Sequence, residues 1–387
     1  MHCPQPETVR FSVDKYLNNN VFHSKNELSS GLPIVDIEPL FHAKARRHDH
    51  RRVADKLAQA AADVGFLYIT GHPIKTRTIR NVYAEAARFF ALPESTKLNH
   101  YIGASLNHRG YVPVSEKGDY ADEKKRHYEA FDLALELPPE DPDYDSHEKL
   151  MGPNQWPELH GFQETVYDYY EQVSVIAQSL LRAFEIHLML PAGYFAQFMR
   201  KPIAQMRLLH YQQSDQRASA KRFSKRTSKP AMDSDMNMGA HTDYECLTVL
   251  HQTAPGLQVL NSADEWVNVP VYDDAYIINI GDMMELWTNG LFKATPHRVV
   301  HYGHERYSIP YFCATDYDAV IEPLPSFRVK QHRSAVGVRY KPIVGGHHLH
   351  GQLLRDFPYL RRRFERGELK LPFAVPDGNL FEGRLAA

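Results

Sequence analysis

The sequence predicts an α+β fold in which helices occupy the N-terminal half and short strands occupy the C-terminal half. Two long segments, 49–64 and 163–190, space their apolar residues as amphipathic helices do. From 203 to about 321, short apolar runs alternate with turn residues, which is typical of a β-sandwich or barrel. No uninterrupted apolar run approaches the roughly 20 residues that a membrane-spanning helix needs.

The elements predicted for the N-terminal half follow one another closely. "LPIVDIEPL" (32–40) alternates as a short strand does, and the first long helix comes next. "GFLYITGHPI" (65–74) predicts a strand closed by Gly-His-Pro, and 75–90 predicts a helix that "ALPES" ends. Segment 100–160 is rich in loop residues. The second long helix, 163–190, stops at Pro-Ala-Gly.

The C-terminal half is a series of short predicted strands followed by a helical tail at about 345–366. The strands are the apolar runs "IAQMRLLHY", "ECLTVLHQ", "GLQVL", "WVNVP", "AYIINIGD", "HRVVHY" and "RYSIPYFCAT". Because no convincing linker separates the two halves, we expect a single domain over 1–387. We divide it into a helical N-terminal part (30–200), a β core (201–325) and a C-terminal tail with a helix (326–387).

Composition gives no reason to expect nucleic acid or a membrane as partner. The formal net charge of the 387 residues is −2, so no large basic surface is implied. The three cysteines, Cys3, Cys246 and Cys313, are far apart and show no disulfide or zinc-knuckle spacing. The N-terminus lacks the apolar core of a secretory signal. We expect a cytoplasmic monomer.

One candidate metal site begins at "AHTDYECLTVLHQ" (240–252). If this stretch is extended, His241 and Asp243 point to the same face and can converge on one ion. A third ligand is available further along at His297, His301 or His304, and His297 enters an apolar pair directly after a Thr-Pro turn. Two histidines and one carboxylate leave open positions on a metal, which suits non-haem Fe(II).

A candidate anion site follows the third histidine. Arg306 and Ser308 are again two positions apart and share one face of a predicted strand. A guanidinium group matches a carboxylate bidentately, and the serine hydroxyl adds one donor. The pair is therefore suited to the far carboxylate of a dicarboxylic acid whose near end chelates the metal, although a solvated surface Arg and Ser is the alternative.

These motifs occur in an order that resembles the iron- and 2-oxoglutarate-dependent dioxygenases of the isopenicillin N synthase-like superfamily. The motifs are "HTDYECLTVL", "APGLQVL", "WVNVP", "IINIGDMMELWTNG", "KATPHRVV" and "RYSIPYF". In the N-terminal half, "GFLYITGHPI", "FFALPESTK" and "NHRGYVP" are also similar to the family. The resemblance covers roughly residues 30–350 and implies a double-stranded β-helix, or jelly roll, that holds iron at one open end.

The resemblance also assigns roles to individual residues. It implies that His241, Asp243 and His297 bind Fe(II), and that Arg306 and Ser308 bind 2-oxoglutarate. The family's Asn-Tyr-Tyr-Pro motif is here "LLHYQ", which keeps its second tyrosine as Tyr211, a further 2-oxoglutarate contact. The five aromatic or aliphatic side chains that we expect to form a mostly apolar substrate pocket are Tyr111, Phe131, Leu209, Trp287 and Phe312.

The implied activity is oxidation of a C–H bond in a small organic molecule, by hydroxylation or else by desaturation or ring closure. O2 is the oxidant, 2-oxoglutarate is the co-substrate, and succinate and CO2 are released. Three rival readings stay open: an oxidase or cyclase of the same superfamily that uses no 2-oxoglutarate, a zinc hydrolase with the same ligands, and a non-catalytic binding module. The substrate is not specified, although the family suggests secondary metabolism.

Two further segments attract attention by their composition. Residues 212–237 contain six Lys or Arg and almost no large apolar residue, which predicts a solvated insertion or else a cover over the site. "GGHHLHG" (345–351) is dense in histidine, and we expect a surface or capping role rather than a second metal site.

Overall fold

The N-terminal part alternates short strands with longer helices in the computed structural model, which describes residues 31–115, 127–144, 149–213, 236–328 and 339–375. Its elements are β1 (Ile34–Asp36), α1 (Arg47–Asp63), β2 (Phe66–Thr70), α2 (Thr76–Phe90), α3 (Glu94–Lys97), β3 (Gly110–Val112), β4 (Glu129–Ala134) and α4 (Phe162–His187). The predicted long helices are confirmed to within a few residues. Strands β3 and β4 lie in the segment predicted as loops, because both are buried throughout and show no alternation of polar and apolar residues.

The C-terminal part contains the predicted series of strands, with short helices between them. Its elements are β5 (Gln205–Tyr211), β6 (Met236–His241), β7 (Leu247–Gln252), β8 (Leu257–Leu260), β9 (Trp266–Asn268), β10 (Tyr276–Ile280), α5 (Asp282–Trp287), β11 (His297–Val300), β12 (Arg306–Cys313), β13 (Val320–Ile321), α6 (Pro325–Arg328), β14 (Ile343–Val344), α7 (Gly345–Asp356) and α8 (Pro358–Glu365). Most of the predicted insertion lies outside the described residues.

The helical tail is two helices rather than the single one predicted. Helix α7 ends at Asp356, and Phe357 adopts an extended backbone with φ −119° and ψ 104°. Pro358 then begins α8. The break follows from the proline, because its ring disfavours a helical conformation at the preceding residue and it has no N–H to donate.

Two antiparallel sheets form the jelly roll that was predicted. The large sheet has the order β1-β2-β10-β7-β12-β5-β4-β3, and the smaller sheet has the order β6-β11-β8-β9. Only the β1–β2 pair of these described strands is parallel. The N-terminal part therefore supplies four strands to the large sheet in addition to its helices.

Helix α4 covers one face of the large sheet and leaves the opposite face for a cavity. It packs against α1 and α2 and against strands β7 and β12. Residues alternate along β12, so that Tyr311 packs against Tyr170 of α4 while Ser308 and Phe312 line the cavity. Although α4 is the longest helix in the described parts of the chain, neither it nor any other described helix is long and apolar enough to span a membrane.

Candidate active site

A cavity of about 520 Å³ lies between the two sheets, with α7 forming part of its wall. Strand β5 contributes alternate residues from Gln205 to Tyr211, and β12 contributes alternate residues from Arg306 to Phe312. This spacing of two is what places one face of each strand toward the interior. The cavity is therefore built mainly from strand residues, which are held rigidly by their sheets.

Three side chains converge in this cavity as a candidate metal site. The ligand atoms of His241, Asp243 and His297 all lie within 4.8 Å of one another. The Nε2 atom of His297 is 3.5 Å from Oδ1 of Asp243, and the Nε2 atom of His241 is 3.7 Å from the same oxygen. Within the described ranges no other group of three such residues is close enough to hold a metal ion.

Backbone carbonyl groups orient both imidazole rings toward the shared point. Nδ1 of His241 lies 2.9 Å from the carbonyl oxygen of Gly239, and Nδ1 of His297 lies 3.2 Å from that of Thr295. A carbonyl can only accept, so each Nδ1 carries the proton and donates it. The Nε2 lone pair of each ring is then directed at Asp243, which is the arrangement found around metal-bound histidines.

The Asp243 carboxylate is held in an equally defined way. Its Oδ2 atom accepts a hydrogen bond from the Thr248 hydroxyl and one of 2.6 Å from the Asn279 amide. Thr248 and Asn279 are directly opposite each other on β7 and β10. Oδ1 therefore remains for a cation. Although burial opposes ionisation, the neighbouring histidines hold the pKa of Asp243 well below its usual range.

The pKa values of the two imidazoles move in opposite directions. Burial, reinforced by the nearby His297, lowers the pKa of His241. Burial also acts to lower the pKa of His297, but the charge and hydrogen bond of Asp243 outweigh it and raise that pKa. A cation bound at Oδ1 requires both rings to be neutral, so metal and protons compete for this cluster.

The expectation that His241 and Asp243 share one strand is wrong, even though the two side chains do converge. Strand β6 ends at His241, and Asp243 lies in the irregular segment that follows. Its backbone is fixed there because its carbonyl oxygen accepts a 2.9 Å hydrogen bond from the Asp282 N–H. Gly281 permits this approach, since a Cβ atom there would lie only 2.2 Å from the carbonyl oxygen of Glu245.

Arg306 is a buried guanidinium that lines the same cavity. It is 3% exposed and donates hydrogen bonds to the Ala254 carbonyl at 3.1 Å, the Ser308 hydroxyl at 3.1 Å and the Gln252 amide oxygen at 2.9 Å. All three acceptors are neutral, and no carboxylate in the described parts of the chain pairs with it. Its charge is therefore available to an anionic ligand.

The surroundings of Arg306 fix its position. Its Cζ atom lies 4.6 Å from the ring centroid of Tyr211, which is its cross-strand neighbour on β5. Gly256 leaves room for the side chain, because a Cβ atom at that position would be 3.2 Å from Cδ of Arg306. Tyr211 and Ser308 both line the cavity, as expected from the sequence.

The predicted substrate-pocket residues divide into two groups. Leu209 and Phe312 line the cavity. The other three do not, which corrects the expectation for them. Tyr111 donates a hydrogen bond to Glu129 behind the sheet at 2.7 Å, and Phe131 packs in an aromatic cluster with Phe89.

Trp287, the third of these residues, is 1% exposed and packs against Phe195 and Phe198. Its ring therefore belongs to the hydrophobic core beside α5. Aromatic character alone does not show whether Tyr111, Phe131 and Trp287 line a substrate pocket or fill the hydrophobic core, because large apolar side chains occur in both places.

The histidine-rich start of α7 is buried, so the expected surface or capping role is wrong for two of its residues. Nε2 of His348 lies 3.3 Å from Oδ2 of Asp282, and Nδ1 of His350 lies 3.2 Å from the Tyr317 hydroxyl. These contacts attach α7 to α5, which follows β10, and to the segment between β12 and β13. They explain how a C-terminal helix comes to form a wall of the cavity.

Comparison with known proteins agrees with this geometry. Residues 32–159 match the family described as non-haem dioxygenase in morphine synthesis N-terminal, and residues 204–315 match the 2OG-Fe(II) oxygenase superfamily. The chain is 32% identical to the 2-oxoglutarate-Fe(II) type oxidoreductase hxnY of Emericella nidulans, over 76% of this chain and 82% of that protein. It is 29% identical to a homoarginine-6-hydroxylase of Arabidopsis thaliana, over 86% and 91% respectively.

A solved structure is similar as well. A full-length Neurospora crassa protein crystallised in complex with alpha-KG superposes with a TM-score of 0.70 at 25% identity, over 84% of this chain and 96% of that one. The fold and the His-Asp-His cluster define a non-haem iron oxidoreductase. The chain belongs to the 2-oxoglutarate- and Fe(II)-dependent oxygenases, whose cofactor is Fe(II) and whose co-substrates are 2-oxoglutarate and O2.

Proposed function

We propose that His241, Asp243 and His297 bind Fe(II), and that Arg306 with Ser308 binds the far carboxylate of 2-oxoglutarate. The observation that supports this most directly is the donor set. Two imidazole Nε2 atoms and one carboxylate oxygen face a single point. The other polar atom of each group, which is Nδ1 of each histidine and Oδ2 of the aspartate, already has a hydrogen-bond partner. Such a set occupies three positions on one side of a metal and leaves the remaining positions open.

The proposed 2-oxoglutarate site is supported by the charge of Arg306. A guanidinium that is 3% exposed and bonded only to neutral acceptors is costly unless a ligand supplies the opposite charge. A dicarboxylate that chelates the metal at one end can reach this group with the other. Tyr211, stacked beneath the guanidinium, would pack against the co-substrate and limit its orientations.

The reaction that we propose is oxidation of a C–H bond in a small organic molecule, with hydroxylation as the expected outcome and desaturation or ring closure as alternatives. Bound Fe(II), with 2-oxoglutarate and O2, supplies an oxidant strong enough for this chemistry and releases succinate and CO2. The residues of this chain hold the metal, orient the co-substrate and exclude water from the buried face of the sheet.

A small substrate fits the dimensions of the cavity. Its volume of about 520 Å³ is within the range of ordinary small-molecule sites. Leu209 and Phe312 provide apolar walls, and Leu349 and Leu353 of α7 add two more. The buried free thiols of Cys246 and Cys313 suit a reducing compartment, and we propose a cytoplasmic monomer that acts in secondary metabolism.

Succinate formation tests the proposed function. The purified protein, supplied with Fe(II), 2-oxoglutarate and O2, should form succinate and consume O2 in equal amounts, and a compound that enters the cavity should accelerate both. His297→Ala should abolish succinate formation. His160→Ala removes an exposed histidine and should leave it unchanged.

The same measurement separates the rival activities. O2 uptake and product formation that do not require 2-oxoglutarate would support the co-substrate-independent oxidase. Hydrolysis with bound zinc and no O2 uptake would support a zinc hydrolase. A protein that binds Fe(II) and 2-oxoglutarate but forms no succinate with any compound would be a binding module.

A further inference from the structure

We propose that His210 is a positioning residue for 2-oxoglutarate, because it holds the strand ends that carry Arg306 and Tyr211 in place from behind the large sheet. This inference rests on the proposed function, since it takes those two residues as the co-substrate site. It goes further by giving a role to one residue at which this chain departs from the family's Asn-Tyr-Tyr-Pro motif. In "LLHYQ" a histidine stands in place of the first tyrosine.

Three strands of the large sheet begin or end beside the proposed 2-oxoglutarate site. Strand β4 begins at Glu129, β5 ends at Tyr211 and β12 begins at Arg306. Arg306 and Tyr211 are also the last cross-strand pair between β12 and β5. Because the end of a ladder is where a sheet opens most easily, the positions of these two side chains depend on further contacts at the strand ends.

His210 lies at the same end of the ladder but faces away from the cavity. It is opposite Tyr307 on β12 and opposite Glu129 on β4. Because side chains alternate along a strand, His210 and Tyr307 lie on the side of the sheet that packs against Phe90 of α2. The imidazole is stacked on the Tyr307 ring, with 4.5 Å between the centroids and 11° between the planes.

The imidazole of His210 joins two carboxylates that come from different segments of the chain. Nδ1 lies 2.9 Å from Oε1 of Glu129, and Nε2 lies 3.0 Å from Oε1 of Glu305, the residue that precedes Arg306. Ionised carboxyl groups only accept hydrogen bonds, so the ring must carry a proton on each nitrogen to form both bonds. A neutral imidazole has one N–H and can serve only one of the two. The charged ring therefore ties β4, β5 and the start of β12 together.

The other polar groups around this cluster keep Glu129 ionised. The Lys97 ammonium group at the end of α3 lies 2.6 Å from Oε2 of Glu129, and the Tyr111 hydroxyl of β3 donates to the same oxygen at 2.7 Å. The Gln212 amide donates a longer bond of 3.3 Å to Oε1. Although burial opposes ionisation, the hydrogen bonds from His210, Lys97 and Tyr111 lower the pKa of Glu129 to about 2. Glu129 is therefore a fixed negative charge that holds the protonated imidazole.

The bond from His210 to Glu305 is the one that reaches Arg306. The Glu305 side chain is 23% exposed and also accepts a 3.1 Å hydrogen bond from the Tyr307 hydroxyl. Leaving a buried acceptor without its donor is the costlier loss, so a neutral ring should keep Glu129 and release Glu305. Burial acts to lower the pKa of His210, but the hydrogen bonds to both carboxylates outweigh it and raise that pKa. We therefore expect the affinity for 2-oxoglutarate to fall as the pH rises through the pKa of His210.

Calorimetric titration with 2-oxoglutarate tests the inference at about pH 6.5, about pH 7.5 and about pH 8.5. The protein is saturated with Mn(II) in place of Fe(II), which prevents turnover and keeps the metal in solution over this range. We expect the wild-type affinity to fall roughly 10-fold between the lowest and the highest pH, which is within the contribution of one hydrogen bond to a charged group. An affinity that stays constant over this range would overturn the proposal.

Two variants assign the effect to the charged imidazole. His210→Phe keeps a ring against Tyr307 and removes both hydrogen bonds, so it should bind 2-oxoglutarate roughly 10-fold more weakly at the lowest pH and show no pH dependence. Glu305→Gln keeps the shape of a partly exposed side chain and removes one negative charge, so its fall in affinity should begin at a lower pH. His160→Gln changes an exposed histidine and should keep the wild-type profile. Wild-type profiles in both His210→Phe and Glu305→Gln would refute the role of His210.

Arg306→Ala in the same titration separates this inference from the proposed function. If Arg306→Ala loses affinity for 2-oxoglutarate at every pH while the His210 and Glu305 variants behave as the wild type, the co-substrate site stands and the positioning role fails. If Arg306→Ala binds 2-oxoglutarate as tightly as the wild type, the proposed co-substrate site is wrong and the positioning role fails with it.

Discussion

The imidazole rings of His241 and His297 lie directly opposite each other on β6 and β11, with their centroids 4.3 Å apart. This cross-strand pair depends on register, because a shift of one residue would turn one of the rings to the other side of the sheet. The positions of two candidate ligands are therefore fixed by a single strand pairing, and the third comes from the segment that continues β6.

Removal of any one candidate ligand should weaken iron binding severely. His241→Ala, Asp243→Ala and His297→Ala each leave only two ligands. Loss of a residue that merely hydrogen-bonds to a ligand lowers metal affinity roughly 10- to 100-fold, and we expect a larger fall for these variants. Fe(II) titration without O2 measures this. A variant that binds iron as tightly as the wild type and remains active would remove its residue from the metal site.

The hydrogen bonds to Asp243 should tune that affinity. Thr248→Val and Asn279→Leu each remove one donor to Oδ2 and keep a side chain of similar size, so iron affinity should fall roughly 10- to 100-fold. The same Fe(II) titration detects the change. Thr253→Val, which alters a threonine bonded to the Tyr307 carbonyl instead, is the matched control. Unchanged iron affinity in both variants would show that Asp243 binds iron equally well without these hydrogen bonds.

Arg306 should act on 2-oxoglutarate rather than on iron. Arg306→Ala removes a buried bidentate partner, which costs about 2–5 kcal/mol, or roughly 30- to several-thousand-fold in 2-oxoglutarate affinity. Iron affinity should stay within a few-fold of the wild type. Calorimetric titration with 2-oxoglutarate provides the measurement, and Arg182→Ala on the exposed side of α4 is the control. Equal 2-oxoglutarate binding by Arg306→Ala would exclude Arg306 from that site.

Sequence patterns predicted the main helices and seven strands of the C-terminal part, and the family resemblance then selected His241, Asp243, His297 and Arg306, which converge in the cavity. Histidine, aspartate and arginine carry distinctive chemistry, and their spacing reflects the hairpins that bring them together. Strands β3 and β4 were missed because a strand buried on both faces lacks the alternation that identifies half-buried strands.

Three polar residues of the site could not be recognised from their sequence positions. Thr248, Asn279 and Gln252 matter because of which side chain each faces across a sheet, and that depends on tertiary pairing. The one feature of the sequence that marks these three residues is that each is a polar residue within an otherwise apolar strand. A buried polar residue in such a run needs a partner, so this pattern is a usable indicator.

Phe131 should affect stability rather than substrate binding, in contrast to its predicted role. Its side chain is fully buried among Phe89, Trp156 and Phe162, so Phe131→Ala should lower the free energy of unfolding by about 3–5 kcal/mol. Urea unfolding measures this, and 2-oxoglutarate binding should be unchanged below the transition. A fully stable variant with altered substrate preference would instead place Phe131 at the substrate.

The stability of the protein should depend on pH through His210. Burial lowers the pKa of this imidazole, but hydrogen bonds to Glu129 at 2.9 Å and Glu305 at 3.0 Å outweigh burial and raise it above 6.5. Burial opposes ionisation of Glu129, but its hydrogen bonds lower its pKa to about 2, so it is charged throughout the range considered. The stabilisation from His210 is therefore complete below about pH 6.5 and is lost as pH rises through the folded-state pKa.

Urea unfolding of His210→Gln and the wild type at about pH 5.5 and about pH 8.5 checks this expectation. The difference in unfolding free energy between the two proteins should be larger at the lower pH. His160→Gln changes an exposed histidine and should show no such dependence. A difference that is the same at both pH values would contradict the raised pKa.

The two cross-strand pairs at the site belong to different sheets. His241 and His297 are paired in the smaller sheet, whereas Thr248 and Asn279, which hold Asp243, are paired in the large one. A metal ion bound by all three ligands therefore cross-links the two sheets in addition to serving as the reactive centre. Because a ligand that binds only the folded state stabilises it by mass action, this end of the jelly roll should open more readily when iron is scarce. Iron supply would then govern resistance to proteolysis together with catalytic capacity.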